Sequence, residues 1–485
     1  MGARRGSRWL WTMAILPAMA VSACGGSRLT HDAILTAVNG GALPTAQVQQ
    51  QEQQGAVSSL PQNAVTQPLP GSSSGTGGAS RAATGTGAPL TGGTGGTGGG
   101  VSGGSISGAA TAAGSAPTAA KPAGPLAPIL VGNVGSYSGP VGSSLAGADT
   151  MVQVWAQWTN AHGGIAGHPV QVFTADDGGD PQRSLALVKD MVENKHVIAF
   201  LANMIPFTIQ AQLPYLHQHN IPIIGGENSG TAWTSDSMVF PTGTTINEAL
   251  LGDYKTAHQR NLTKLGIIYC IESPSCGNMH DYTVNGGAAR AGETLTYQSQ
   301  VTITQPDYTA QCLGAQSAGA QVIFLALEAN SIMRLGASCS RQNYHPIYIA
   351  TGIQTTRELE GNPDLEGFFA AAQDFPYMLG NTPATAPYQQ AVQQYAPTLR
   401  LSGATGTAWA SGQLLAKVAS AGIGAQPTSQ DLLNGLWSLH NETLDGLTPP
   451  LNYVKNQPSP PVSCYFLIEL KGGKWTAPSG DTDAC

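Results

Sequence analysis

Tyr137, Ser138, Ser143 and Ser144 follow an apolar run, Ile129 to Val134, across a break at Gly135. Hydroxyls and exposed amides at the start of a following helix suit an anion such as a carboxylate, because the donors and the helix dipole both favour negative charge. The adjacent pair Asp176-Asp177 suggests acid–base work. His217 and His219 are two residues apart, not the i,i+4 of a helical metal pair, and read as surface residues. Ser, His and Asp all occur, yet no motif fixes a nucleophile in a strained turn. Gly71-Ser-Ser-Ser-Gly75 matches G-x-S-x-G but lacks the strand before and the helix after that an elbow needs. No catalytic residue, cofactor or metal is therefore expected.

The elements that must position these loops follow a simple alternation. After Ile129–Val134, Leu145, Ala148, Met151, Val152, Trp155 and Trp158 recur at helical spacing up to Gly163-Gly164. Trp155 and Trp158 read as core. A second strand, Val170–Thr174, completes a βαβ unit. Further strands are expected at Val197–Leu201, Ile221–Ile224, Leu265–Tyr269, Val322–Leu327, Ile347–Ile349 and Phe368–Ala372. Helices are expected at 182–194, 207–219, 248–260, 281–291, 308–318 and 331–339. Such alternation implies right-handed crossovers and parallel sheets in an α/β protein, with ligands beyond the carboxyl ends of the strands. The folded part is too long for one compact core and is expected to split into two lobes.

The N-terminus reads as an export signal: Arg4, Arg5 and Arg8, then an apolar stretch from Trp9 to Val21, then Val21-Ser22-Ala23-Cys24, which resembles a bacterial lipobox with Cys24 as the lipidated residue. The apolar stretch is short of the ~20 residues of a membrane span. Residues 24–127, rich in Gly, Ser, Ala and Thr, bury too little apolar surface to fold and are expected to form a tether. Removing the signal (1–23) leaves 18 basic against 28 acidic residues, a formal charge of about −10. That balance argues against nucleic-acid binding. Apart from Cys24, six cysteines remain, an even number in an exported chain. Fifteen pairings are open; the nearest-neighbour set Cys270–Cys276, Cys312–Cys339 and Cys464–Cys485 is expected. No C-x2-C pair points to a metal instead.

The sequence from Ile129 to Asp180 carries Ser138-Gly139-Pro140, a helix, Gly163-Gly164-Ile165-x-Gly167-x-Pro169-Val170 and Asp176-Asp177-x-x-Asp180-Pro181. This order resembles the branched-chain amino acid (Leu/Ile/Val-binding) type of periplasmic substrate-binding protein of ABC transporters, with the type I periplasmic binding fold in lipoprotein form. The resemblance implies two Rossmann-like lobes with parallel sheets joined by three hinge strands: lobe one at 128–243 and 376–445, lobe two at 244–375 and 446–485. It also implies a ligand set of Tyr137, Ser143 and Ser144 after strand one, Asn203 and Met204 after strand three, Glu227, Asn228 and Ser229 after strand four, and Glu328 and Thr351 from lobe two. In amino-acid binders of this type an acidic residue usually pairs with the α-ammonium; the matching position here is Gly352, so the default ligand is in question. The implied activity is capture, not catalysis, and the resemblance implies that Asp176-Asp177 closes its turn and caps the helix starting at Pro181-Gln182 instead of acting as acid and base. The chain is expected to be a monomer, lipid-anchored on the extracytoplasmic face of a bacterial cell membrane, that delivers a small polar solute to ABC permease subunits. A ligand sensor of the same fold is the alternative.

Overall fold

A computed structural model describes residues 126–485. The signal segment, Cys24 and nearly all of the tether lie outside the described residues.

Two sheets organise the chain. The first contains β1 (Ile129–Gly135), β2 (Val170–Asp176), β3 (Ala199–Asn203), β4 (Ile223–Gly226) and β5 (Val239–Phe240), all parallel, in the order β2-β1-β3-β4-β5. Helices α1 (Gly142–Leu145) and α2 (Ala148–Ala161) follow β1, α3 (Pro181–Glu193) follows β2, α4 (Ile209–His219) follows β3, and α5 (Ala232–Ser235) follows β4. The helix expected as one piece from Leu145 is thus two, broken at Gly147, whose φ of 84° only glycine adopts without strain. Asp180, not Asp176 or Asp177, caps α3: its carboxylate accepts from the amides of Gln182 and Arg183. That corrects the expected role of the Asp176-Asp177 pair as a helix cap.

After α6 (Ile246–Gln259) comes the second sheet: β6 (Lys264–Cys270), β7 (Thr294–Val301), β8 (Val322–Ala326), β9 (Ile347–Ile349), β10 (Phe369–Ala372), β11 (Phe466–Lys471) and β12 (Lys474–Thr476). Its order is β12-β11-β10-β9-β8-β6-β7. The five strands β6–β10 are parallel and repeat the arrangement of the first sheet; only the β11–β12 hairpin is antiparallel. Gly472 (φ 60°) and Gly473 (φ 72°) form its two-residue turn, where both positions need positive φ. The helix expected at 281–291 differs too. Ser273 caps and Pro274 starts α7 at Pro274–Tyr282, and a wide turn at Thr283–Gly287 separates it from α8 (Ala288–Arg290). Helices α9 (Thr309–Ser317) and α10 (Ala329–Ser340) flank β8.

Between β10 and β11 the chain returns to the first sheet. It adds α11 (Ala386–Tyr395), α12 (Gly403–Ser420) and α13 (Ser429–Trp437). α12 packs on α2, β3 and β4, and Gly412 lets the two helices touch: a Cβ there would lie 2.4 Å from the Trp155 ring. Trp155 is fully buried as expected, and Trp158 is partly buried against the same core. Three passages therefore run between the sheets, and they are hydrogen-bonded to one another. Thr244 N donates to Gln373 O (3.1 Å), Phe375 N to Leu447 O (2.9 Å), and Tyr453 Oη to Pro241 O (2.5 Å). Disulfides join Cys270 to Cys276, Cys312 to Cys339 and Cys464 to Cys485.

Candidate functional site

In a doubly wound sheet of order 2-1-3-4-5, the crevice opens where the first and third strands part, because their following helices leave to opposite faces. Both sheets have that order, so the molecule has two such switch points: β1/β3 in one, β6/β8 in the other. They face each other across one cavity. It offers about 60 Å³ to the centre of a water-sized sphere, against roughly 10–15 Å³ needed for one water.

Every loop at the carboxyl end of β1, β3, β4, β6, β8 and β9 contributes to its wall. The apolar surface comes from Val141, Leu145, Pro206, Met279, Ile303 and Ile353, with the Cys270–Cys276 disulfide beside them. Polar groups come from Ser144, Glu227 and Ser229 on one side and Ser273, Ser275, Glu328, Thr351 and Gln354 on the other. Among the described residues no lysine, arginine or histidine lines it.

Of the residues singled out by sequence, Ser144, Glu227, Ser229, Glu328 and Thr351 line this cavity. Ser143 lies just outside it and closes the gap between the sheets. Its hydroxyl donates to Glu328 Oε2 (2.6 Å), while Ser144 Oγ accepts from the Ala329 amide (3.1 Å). These two serines therefore hold the cap and first turn of α10, and Ser143 uses for it a donor that a carboxylate would have needed. Ser229 Oγ meets Ser275 Oγ at 3.3 Å, a second contact across the gap.

Tyr137, Asn203, Met204 and Asn228 do not line the cavity. Tyr137 folds back on β1, where its hydroxyl donates to Asn133 Oδ1 (2.7 Å); burial pushes its pKa up. Asn203 accepts from the Val134 amide through Oδ1 (3.0 Å), tying β1 to β3. Met204 is buried and extends that pairing, its amide donating to Val134 O. Asn228 is buried in the left-handed conformation (φ 49°), and among the described residues its side-chain amide has no hydrogen-bond partner.

Asp176 and Asp177 hold this wall together. Asp177 accepts from Ser136 Oγ (2.8 Å), the Gly179 amide (2.8 Å) and Thr208 Oγ1 (2.7 Å); Asp176 accepts from the amides of Tyr137, Ser138 and Gly178. Held by three or more donors each, the two carboxylates brace the loops of this wall.

The two acids in the cavity differ. Glu328, 5% exposed, caps α10. Its oxygens accept from the Asn330 and Ser331 amides, Ser331 Oγ and Ser143 Oγ, with Arg334 Nη2 3.6 Å away. Glu227, 2% exposed, accepts from the amide and hydroxyl of Ser229 on Oε2 and only from Trp233 Nε1, at 3.3 Å, on Oε1. Burial pushes its pKa up, and the Ser229 and Trp233 hydrogen bonds pull part of that back. Gly352 has a steric cause. A Cβ there would come 2.6 Å from the Ala372 Cα, so no carboxylate can occupy that position.

Sequence reasoning missed the loop after β6. Ser273-Pro274-Ser275-Cys276 carries the signature of a capped helix start directly after an apolar strand, and that position alone marks it as a crevice loop. Among the described residues no helix is long and apolar enough to cross a membrane.

Solved structures with this fold include a substrate-binding periplasmic protein from Ralstonia solanacearum (TM-score 0.63, 16% identity, 73% of this chain and 99% of that one). A fatty acid ABC transporter substrate-binding protein from Thermomonospora curvata gives TM-score 0.62 at 18% identity, covering 72% and 91%. A leucine-binding protein from Thermotoga maritima gives 0.60 at 11%, covering 72% and 98%. No curated protein matches the chain. The family model for periplasmic binding proteins matches residues 128–474. With its two facing switch points and the cavity between them, the chain belongs to the periplasmic binding protein family and is a ligand-binding protein of that kind.

Proposed function

We propose that the protein is the solute receptor of an ABC importer, held by a lipid on Cys24 at the extracytoplasmic face of the membrane. The observation that supports this reading best is the cavity lined from the carboxyl ends of both sheets. In this reading residues 128–243 with 376–445 move as one lobe and residues 244–375 with 446–485 as the other, bending at the three passages. A solute binds between them, and the closed form is what the permease subunits recognise. Closure is a population shift, driven by the ligand's greater affinity for the closed state. Ser143–Glu328 and Ser144–Ala329 close the rim once the lobes meet.

A thermal-shift screen of the chain against a solute library tests the reading. A ligand at one hundred times its dissociation constant raises stability by about 2.7 kcal/mol. A hit whose effect vanishes in Glu227→Ala and Ser275→Ala supports the cavity as the site; a hit unaffected by either change places binding elsewhere. Palmitate labelling that Cys24→Ala abolishes tests the anchor.

A further inference from the structure

We infer that the cavity takes a small aliphatic amine, its apolar body against Leu145, Met279, Ile303 and Ile353 and its ammonium at Glu227 Oε1, within reach of the Ser229 and Ser275 hydroxyls. The inference rests on the proposal that the cavity is the solute site and adds the chemical class of the solute.

Three observations carry it. First, the charge is one-sided. Two buried acids line the cavity and no basic side chain does. An anionic head would be desolvated beside like charge with no cation to meet it, which is the costly arrangement for a buried ion. Second, one hydroxyl expected to hold an amino acid's carboxylate is taken: Ser143 Oγ donates to Glu328, while Ser144 Oγ accepts from the Ala329 amide, which ties both serines to the second wall. Third, the two acids are not equally free. Glu328 has four donors on its two oxygens and Arg334 nearby. Among the described residues Glu227 forms no ion pair, and its Oε1 carries a single long hydrogen bond. A carboxylate has about four acceptor sites, so Glu227 retains room for a charged donor. The rest of the wall is apolar, so the solute needs a hydrocarbon body and one such head.

Four probes that share the same branched body and differ in their head test this on the full chain by titration calorimetry: isoamylamine, isovaleramide, isovalerate and leucine. Isoamylamine is expected to bind at least tenfold more tightly than isovalerate or leucine, and more tightly than isovaleramide. Isovalerate, leucine or isovaleramide binding as well as the amine overturns the amine assignment and leaves the cavity reading standing. If none of the four binds, the amine assignment falls. The library screen then decides the cavity reading separately, since a hit of another class lost in Ser275→Ala keeps it. In Glu227→Gln, checked for folding by circular dichroism, isoamylamine affinity is expected to fall at least tenfold. Isovaleramide affinity stays within threefold. An equal loss for both probes makes Glu227 a matter of shape and overturns its role as counter-ion.

Discussion

The two walls of the cavity are built on the same strand order but braced by different chemistry. On the first sheet, carboxylates do the bracing: Asp176 and Asp177 collect amides and hydroxyls from the loops after β1, β2 and β3. On the second, a disulfide from the end of β6 to α7 and the Glu328 cap of α10 hold the loops. The polar bracing of the first wall consumes Tyr137 and Asn203 as scaffold. The covalent bracing of the second leaves a surface that is mostly apolar. A repeated topology thus fixes where a ligand goes, while the local means of rigidity decides which side chains remain free to touch it.

The passages between the walls offer the largest expected effect. Burial of Asp374 pushes its pKa up to about 7, and the Thr407 hydroxyl pulls it back only in part. Between pH 4 and 7 the folded state holds a proton that the unfolded chain, with a pKa near ~3.9, has lost, so stability falls as pH rises through this window. The loss amounts to about 4 kcal/mol at most. Asp374→Asn should flatten the slope; chemical denaturation at pH 4.5, 5.5 and 7 checks this, and parallel slopes would contradict it.

Removing the brace of the first wall comes next. Asp177→Ala leaves Ser136, Thr208 and the Gly179 amide without their acceptor, and a loss of roughly 3 kcal/mol in unfolding free energy is expected. On the second wall, Cys270→Ser with Cys276→Ser opens a short loop (sequence separation 6). By chain entropy this costs roughly 2 kcal/mol, less than opening Cys312–Cys339, at roughly 3.5 kcal/mol. Equal losses for the two disulfides would show that strain or local packing outweighs loop length. The smallest effect is Ser143→Ala, which removes one cross-gap hydrogen bond, about 1 kcal/mol. It should speed solute release with little change in the melting temperature of the free protein.

How much of this was legible in the sequence differs along the same line. The buried strands β1–β4, β6 and β8–β10 appear as short apolar runs because both their faces are covered. β7 went unread because Thr294–Val301 is a largely polar edge strand, and α12 because it is buried nearly all round through small residues, Ala404, Gly406, Ala408, Ala410 and Gly412, which pack closely without a strong apolar period. At the site, the position of Glu227, Ser229 and Glu328 after strands placed them correctly at the cavity. Asn203 and Tyr137 carry the same signal but are turned inward by partners, Val134 N and Asn133, that no local pattern reveals. The apolar lining from Met279 and Ile303 depends on how α7 and the loop after β7 return to the crevice, a tertiary matter.

The central claim is that a solute is enclosed between the two switch points. A crystal structure of the chain with a ligand from the screen measures this directly. The account predicts ligand density between Glu227 and Ser229 on one wall and Ser275 on the other, shut off from solvent by the Ser143–Glu328 contact. Density on an outer surface, for instance in the open groove beside Lys417 and Glu442, with the space between the switch points unfilled, would contradict it.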